Sequence, residues 1–527
     1  MEHERQLTTM QHTALTNASD LTLLQAAALL SGASAWNSRA IPTAHVPSFV
    51  MSDGPHGVRR QLGIADSEKA TCFPTASALA ATWNPDLARQ MGEALGTEAR
   101  GLGVNVLLGP GLNIKRSPLC GRNFEYLSED PILAGRMAAG LTQGIQSTGT
   151  AACPKHFAAN SQELRRMESD SVMDERTLRE IYLTGFEIVC RSAKPRAIMS
   201  SYNLVNGTHA HENKHLLTDI LRTEWGFDGM VVSDWGGCTD AVAAVRAGGS
   251  LEMPAPGLED ARRIVAAVEA GTLEASDVYA RAQEVLNVAA ASADLPAPTP
   301  YDLDEHHALA TRIASEAITL LRNEDDALPL SSGTSVALIG DLADTPRYQG
   351  AGSSQVNPTR LEAPRELLEA GGESARGLVL TGYAPGYERH GGTSDALIAE
   401  AVALAARTDV ALVYVGLDEL AESEGLDRTH MRLPEGQDRL IEAVVAANPR
   451  TVVVLTGGAS VEMPWAASVP ALVNGYLGGQ GGAGAMLDVL TGVVNPSGRL
   501  AETYARSLED HPTAAWYPAT GPLSYYR

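Results

Sequence analysis

Asp234 closes the apolar run Gly229-Met230-Val231-Val232-Ser233, and Trp235 and Gly236-Gly237 follow it directly. A carboxylate at the carboxyl end of such a strand, beside an aromatic ring, can serve as nucleophile or base in a barrel enzyme. Burying an unpaired carboxylate is costly, which is a reason to expect a task for it. The same Asp could instead cap the helix that starts after Gly-Gly-Cys-Thr-Asp. The fragment alone leaves both readings open.

Four further apolar stretches end in polar clusters. Asp53, His56 and Arg59 follow a stretch ending at Met51, and Arg122 and Glu125 follow residues 118–121. Lys155 and His156 follow residues 151–154, and Tyr202 follows residues 198–201. In a parallel barrel all strand ends open on one face, so these side chains converge there. Asp, Arg, Lys, His and Tyr around a Trp suit a polyhydroxylated ligand such as a sugar. Charged groups grip vicinal hydroxyls while the indole stacks on the C–H face of the ring. Each cluster taken singly reads equally well as a cap, an ion pair or a turn. Five decorated strand ends together point to a site.

Two other constellations invite different chemistry. His209, His211 and His215 have ligand-like spacing, but no Cys lies near them and Glu212 is the one neighbouring carboxylate. Packing or surface roles are expected for them, and no metal. Residues 479–484 satisfy G-x-G-x-x-G after a strand and before a helix, the setting of a dinucleotide fingerprint. They belong to the last strand–helix unit of their region rather than the first, so tight packing is expected there and no cofactor.

The elements that must position these residues alternate. Strands are expected at 46–51, 104–109, 151–154, 197–200, 229–233 and 250–253, with helices at 85–101, 130–147, 174–193 and 215–224. A helical stretch at 258–291 closes the region. This pattern predicts an N-terminal (β/α)8 TIM-like barrel, regular or irregular, over residues 1–297. The Pro-rich stretch 294–300 marks a linker, assigned to 298–317, with one helix predicted over 305–322. Strands at 336–340, 410–416, 451–456 and 471–477 alternate with helices at 395–407, 437–448 and 483–491. They predict an α/β/α sandwich over 318–505, followed by a tail of little periodicity at 506–527. The loop 416–437 is long and acidic, which suggests a working loop.

The chain has 527 residues and a net charge of -23, which argues against nucleic acid or an anionic membrane as partner. Its five cysteines are widely spaced, and the first 20 residues are polar with no leader-like apolar core. A cytoplasmic protein with reduced thiols is the expectation. The composition also admits a homo-oligomer.

Read together, the motifs resemble those of glycoside hydrolase family 3 β-glucosidases over residues 21–527. They are SDGPHGVR (52–59), GPGLNIKRSPLCGRNFEYLSEDP (109–131), KHFAAN (155–160), MSSYN (199–203), GFDGMVVSDW (226–235), LEMP (251–254), ESEGLDR (422–428) and NPSGRL (495–500). The resemblance implies a retaining exo-β-glycosidase acting by double displacement on terminal β-D-glucosyl residues. It implies Asp234 as nucleophile and Glu424 as acid/base, with Glu422, two residues away, as competitor. It implies Asp53, Arg59, Arg122, Lys155, His156, Arg166, Met199, Tyr202 and Trp235 as sugar-binding positions, and Ser353 or Ser354 on a loop reaching over the site. The carboxyls of such a pair should lie about 5–5.5 Å apart, and burial beside the nucleophile should raise the acid.

The chain departs from the family pattern at Ser250, where Asp is common, and at Ala501 after Gly-Arg-Leu. The fibronectin-like domain of some members is not expected, nor is an inserted lobe in the second domain, so the chain reads as C-terminally shortened. A sugar-binding protein without turnover, a β-xylosidase and an N-acetylglucosaminidase remain as alternatives. The last of these is disfavoured because Ala158-Ala159-Asn160 replaces the Gly- and His-containing loop of that branch.

Overall fold

The computed structural model describes residues 17–63, 66–390 and 392–526, so most of the polar N-terminal stretch lies outside the described residues. In the first half, the strands β1 (Met51–Asp53), β2 (Val106–Leu108) and β3 (Ala151–Ala152) form one parallel ladder. The strands β4 (Ala197–Ser200) and β5 (Met230–Ser233) form another. Single bridges continue the circuit, from Phe157 to Ser200, from Val232 to Leu251 and from Ser31 to Glu252. The expected barrel is therefore irregular, with strands of two to four residues.

Strand alternation divides two cores. Val106, Leu108, Met199 and Val232 enter one buried cluster with Met51 and Cys153, while Leu107, Ile198 and Val231 enter another. Successive side chains on a strand point to opposite faces, so one set fills the interior and the other receives the helices. The outer helices include Pro85–Gly101, Pro131–Ser147 and Thr184–Ala193. Gly92, Gly140 and Gly144 let two of them touch backbone to backbone. A Cβ at Gly144 would sit 2.0 Å from the Arg89 carbonyl.

The second half carries a six-stranded sheet made of β6 (Thr319–Asn323), β7 (Ser335–Ile339), β8 (Val379–Ala384), β9 (Val410–Gly416), β10 (Thr451–Thr456) and β11 (Ala471–Asn474). Its order is β6-β11-β10-β9-β7-β8, and all pairs are parallel except β6 with β11. β9 is buried along its whole length, as its Val-Ala-Leu-Val-Tyr-Val run requires in a sheet covered on both faces.

Four expectations need correction. The helix predicted over 305–322 ends at Ala317, and Thr319–Asn323 is instead the antiparallel edge strand β6. The stretch 258–291 is two helices, Glu259–Glu269 and Ala275–Ala293, separated by a turn at Gly271 (φ 70°). β8 has no counterpart in the sequence reading. The tail is not featureless, because Leu523–Tyr525 pairs in parallel with Asp170–Val172 of the first half.

The halves are joined by more than the chain. The helix Leu303–Ala317 gives Ala310 and Ile313 to the barrel core and Ala314 to the sheet core. Asn357–Pro358 pairs with Lys69–Ala70 across the boundary.

Candidate active site

Asp234 leaves the end of β5 and is buried. Its Oδ1 accepts the Trp235 N–H at 2.8 Å. Its Oδ2 accepts no hydrogen bond, although His156 Nε2 lies 3.5 Å away. The other contacts of His156 explain this. Arg122 Nη2 donates to Nε2 at 3.2 Å, while Nδ1 faces the Asn113 side-chain oxygen Oδ1 at 3.3 Å. These partners assign the proton to Nδ1, because a guanidinium can only donate. Burial and the cations Arg122 and Lys155 hold His156 well below its ordinary value, so the ring is neutral. Asp234 Oδ2 thus keeps bare lone pairs. Burial raises Asp234 above its ordinary value, against the pull of Arg122 and Lys155.

Around it the strand-end residues do converge. Lys155 Nζ lies 3.3 Å from Asp53 and 3.1 Å from Glu125, and Arg122 pairs with Glu125 at 2.8 Å. Burial pushes Asp53 up to about 6, although Lys155 opposes it. Tyr202 donates to the Trp235 carbonyl at 3.2 Å and lies beneath the Arg166 guanidinium, 4.6 Å from ring centre to Cζ. Trp235 is only partly buried. It packs on Trp36 with centroids 5.1 Å apart, and its Nε1–H bonds the Ala35 carbonyl. Met199 packs in the interior cluster beneath.

The second half reaches the same cluster through the loop after β9. Glu424 Oε1 lies 2.8 Å from Arg166 Nη1 and 3.7 Å from Arg122 Nη1, and its Oε2 accepts the Ser353 N–H at 2.7 Å. Burial alone would raise this carboxyl, but Arg122, Arg166 and Ser353 overcome it and hold it well below the ordinary range. The expected raising of the acid is therefore not found in the free protein. Arg59 points at the loop, donating to the carbonyls of Gly352 and Ser353 at 3.0 and 2.9 Å. Glu422 faces away. It accepts the Gly458 N–H at 2.5 Å and pairs with Arg347 at 3.3 Å.

Three acidic residues hold this arrangement, and of them the sequence pattern placed only Glu125 in a strand-end cluster. Glu125 bridges Arg122 and Lys155. Asp427 accepts from the backbone of Glu163, Leu164 and Gly121 and from the Tyr517 hydroxyl. Glu163 bonds Arg166 and the Gly425 N–H, both at 2.8 Å. The three-residue spacings of Arg122 with Glu125 and of Glu163 with Arg166 signal two of these pairings in the sequence.

The competing constellations disperse. His211 is buried against Ser200, His209 meets the Tyr202 carbonyl, and His215 is an exposed partner of Glu175. In the glycine motif, a Cβ at Gly479 would sit 2.5 Å from the Phe73 backbone, and one at Gly481 2.2 Å from Thr311. The Glu362 carboxylate already accepts the Gly484 N–H at 2.9 Å. Close packing across the boundary accounts for these glycines. Ser250 joins a buried network with Arg222 and Glu284.

Comparison with known proteins places this geometry. The glycosyl hydrolase family 3 N-terminal domain matches residues 7–288, and the glycosyl hydrolase family 3 C-terminal domain matches residues 318–526. A thermostable β-glucosidase B of Acetivibrio thermocellus is 47% identical over 96% of this chain and 68% of its own length. An exo-α-(1→6)-L-arabinopyranosidase of Bifidobacterium longum is 42% identical over 95% of this chain and 68% of its own length. The crystal structure of a Bifidobacterium adolescentis family 3 β-glucosidase superposes with a TM-score of 0.91 at 41% identity, covering 97% of this chain and 74% of that one.

Proposed function

The chain belongs to glycosyl hydrolase family 3, and from that premise we propose that it is a retaining, exo-acting β-glucosidase with Asp234 as nucleophile and Glu424 as acid/base. The observation that supports the assignment of roles is the approach of one carboxylate from each half to the same basic cluster: Arg122 lies 3.7 Å from Glu424 and bonds His156, whose Nε2 lies 3.5 Å from Asp234. Asp234 attacks the anomeric carbon through Oδ2, whose lone pairs no donor occupies. Glu424 protonates the departing oxygen and then removes a proton from the water that releases the glycosyl-enzyme. Asp53, Lys155, His156 and Arg122 line the pocket with acceptors and donors for ring hydroxyls, and Trp235 offers its face. Glu422 serves the loop rather than the reaction, since its oxygens are engaged by Gly458 and Arg347.

Release of p-nitrophenol from p-nitrophenyl β-D-glucopyranoside tests the reading. Asp234→Ala should lower kcat by at least ~10³-fold with the fold intact. A variant with full activity would sink the nucleophile assignment.

The similarity to an arabinopyranosidase supports a second glycone. An α-L-arabinopyranoside lacks the hydroxymethyl group, so p-nitrophenyl α-L-arabinopyranoside run in parallel decides which ring the pocket prefers.

A further inference from the structure

One guanidinium nitrogen serves two carboxylates. Arg166 Nη1 lies 2.8 Å from Glu163 Oε2 and 2.8 Å from Glu424 Oε1. The two oxygens are therefore no more than twice that distance apart, a gap that a single water can bridge. Glu163 is fully buried and is tied to the neighbour of Glu424 through the Gly425 N–H. Its second oxygen, Oε1, is buried with no hydrogen-bond partner. A buried carboxylate with one bare oxygen beside an already ionised carboxylate is an expensive arrangement unless a proton is present.

We propose that Glu163 is a positioning residue that shares one proton with Glu424 across Arg166. In the free protein the proton rests on Glu163, and Glu424 is the anion gripped by Arg166, Arg122 and the Ser353 N–H. When the glycosidic oxygen arrives at Glu424, the O–H bond of Glu163 breaks and one forms on Glu424. Arg166 then holds Glu163 as the anion. This transfer leaves the pair at minus one; the pair reaches minus two only in the glycosyl-enzyme, after the proton has left with the aglycone and before water supplies another. Glu424 passes the proton to the leaving oxygen, recovers one from the attacking water, and returns it to Glu163.

The surroundings agree with this direction of transfer. The charged and titratable groups near Glu163 are Arg122, Arg166 and Tyr126 from the barrel loops, Cys120 beside them, and Glu424 and Asp427 from the opposite loop. Burial pushes Glu163 up to about 7 despite Arg122 and Arg166, whereas Glu424 is held low.

The proposal rests on Glu424 being the acid, and the test separates the two. Glu163→Gln is compared with the unaltered enzyme on aryl β-glucosides of graded leaving-group acidity, across pH. The expected result is a loss of ~10-fold or more confined to poor leaving groups, with the alkaline limb of kcat/KM shifted acidward by roughly one pH unit. A uniform loss with an unmoved pH profile would show a merely structural role and overturn the proposal, as would no change at all. If Glu163→Gln does not accumulate as folded protein, Glu163→Met, which likewise holds no proton, is read by the same criteria. Glu424→Ala is measured alongside. If it lowers kcat/KM, which reports the first step, equally for good and poor leaving groups, the acid assignment fails on its own evidence, whatever Glu163 does.

Discussion

Asp53, proposed above to bind the sugar, illustrates how burial makes a carboxylate responsive to pH. Its folded value of about 6 lies above the ordinary 3.8. Between those values the folded state binds more protons than the unfolded one, so this group costs stability as pH rises through that window. Across about pH 4 to 6 the contribution is on the order of 3 kcal/mol. Asp53→Asn should remove that part of the slope, and urea unfolding at several pH values would reveal it. Identical slopes for both proteins would refute the raised value. At this scale the strand-end residues were legible in the sequence, because polar clusters after apolar runs share one face in any parallel barrel. Glu163 was not, since its partner Gly425 lies 262 residues away in another sheet's loop. Arg166, three residues on, marks a local pair but not the loop that folds against it.

The elements show the same division. The long strands β9 and β10 appear at their predicted bounds because continuous Val-rich runs leave little choice. β8 was missed because Gly382 and an exposed, alternating edge weaken its pattern. Thr319–Asn323 continues a helical stretch without Gly or Pro, yet pairing with β11 overrides that tendency. The loop carrying Glu424 is seated by backbone contacts that leave no room for a side chain. A Cβ at Gly121 would lie 1.7 Å from the Leu426 carbonyl, and Gly121 N–H bonds Asp427. Gly121→Ala should therefore displace Glu424, the proposed acid, without unfolding either half. A misplacement near 1 Å can cost ~100-fold in rate, so kcat on p-nitrophenyl glucoside should fall by about that factor while circular dichroism stays unchanged. Full activity would mean that the loop seats itself by other contacts.

A site assembled from two halves works only while the halves stay registered, and the whole molecule is built to keep them so. The helix Leu303–Ala317 belongs to both cores, Leu523–Tyr525 returns to pair with Asp170–Val172, and Asn357–Pro358 pairs with Lys69–Ala70. Buried charge spans the same boundary. Lys115 Nζ meets Glu502 at 2.8 Å and the Gly458 carbonyl at 3.2 Å, with both side chains almost wholly out of water. Gly458 also donates to Glu422, so this pair supports the base of the loop that carries Glu424. Multidomain chains commonly unfold in steps, but neither core here can open without exposing part of the other. Calorimetry should therefore show a single transition. Glu502→Gln should lower it as one unit by about 3–5 kcal/mol, because the variant leaves Lys115 charged and unpaired in the interior. Two resolved transitions in the unaltered protein would mean that the halves fold independently. Catalysis would then depend on how they dock rather than on a shared core.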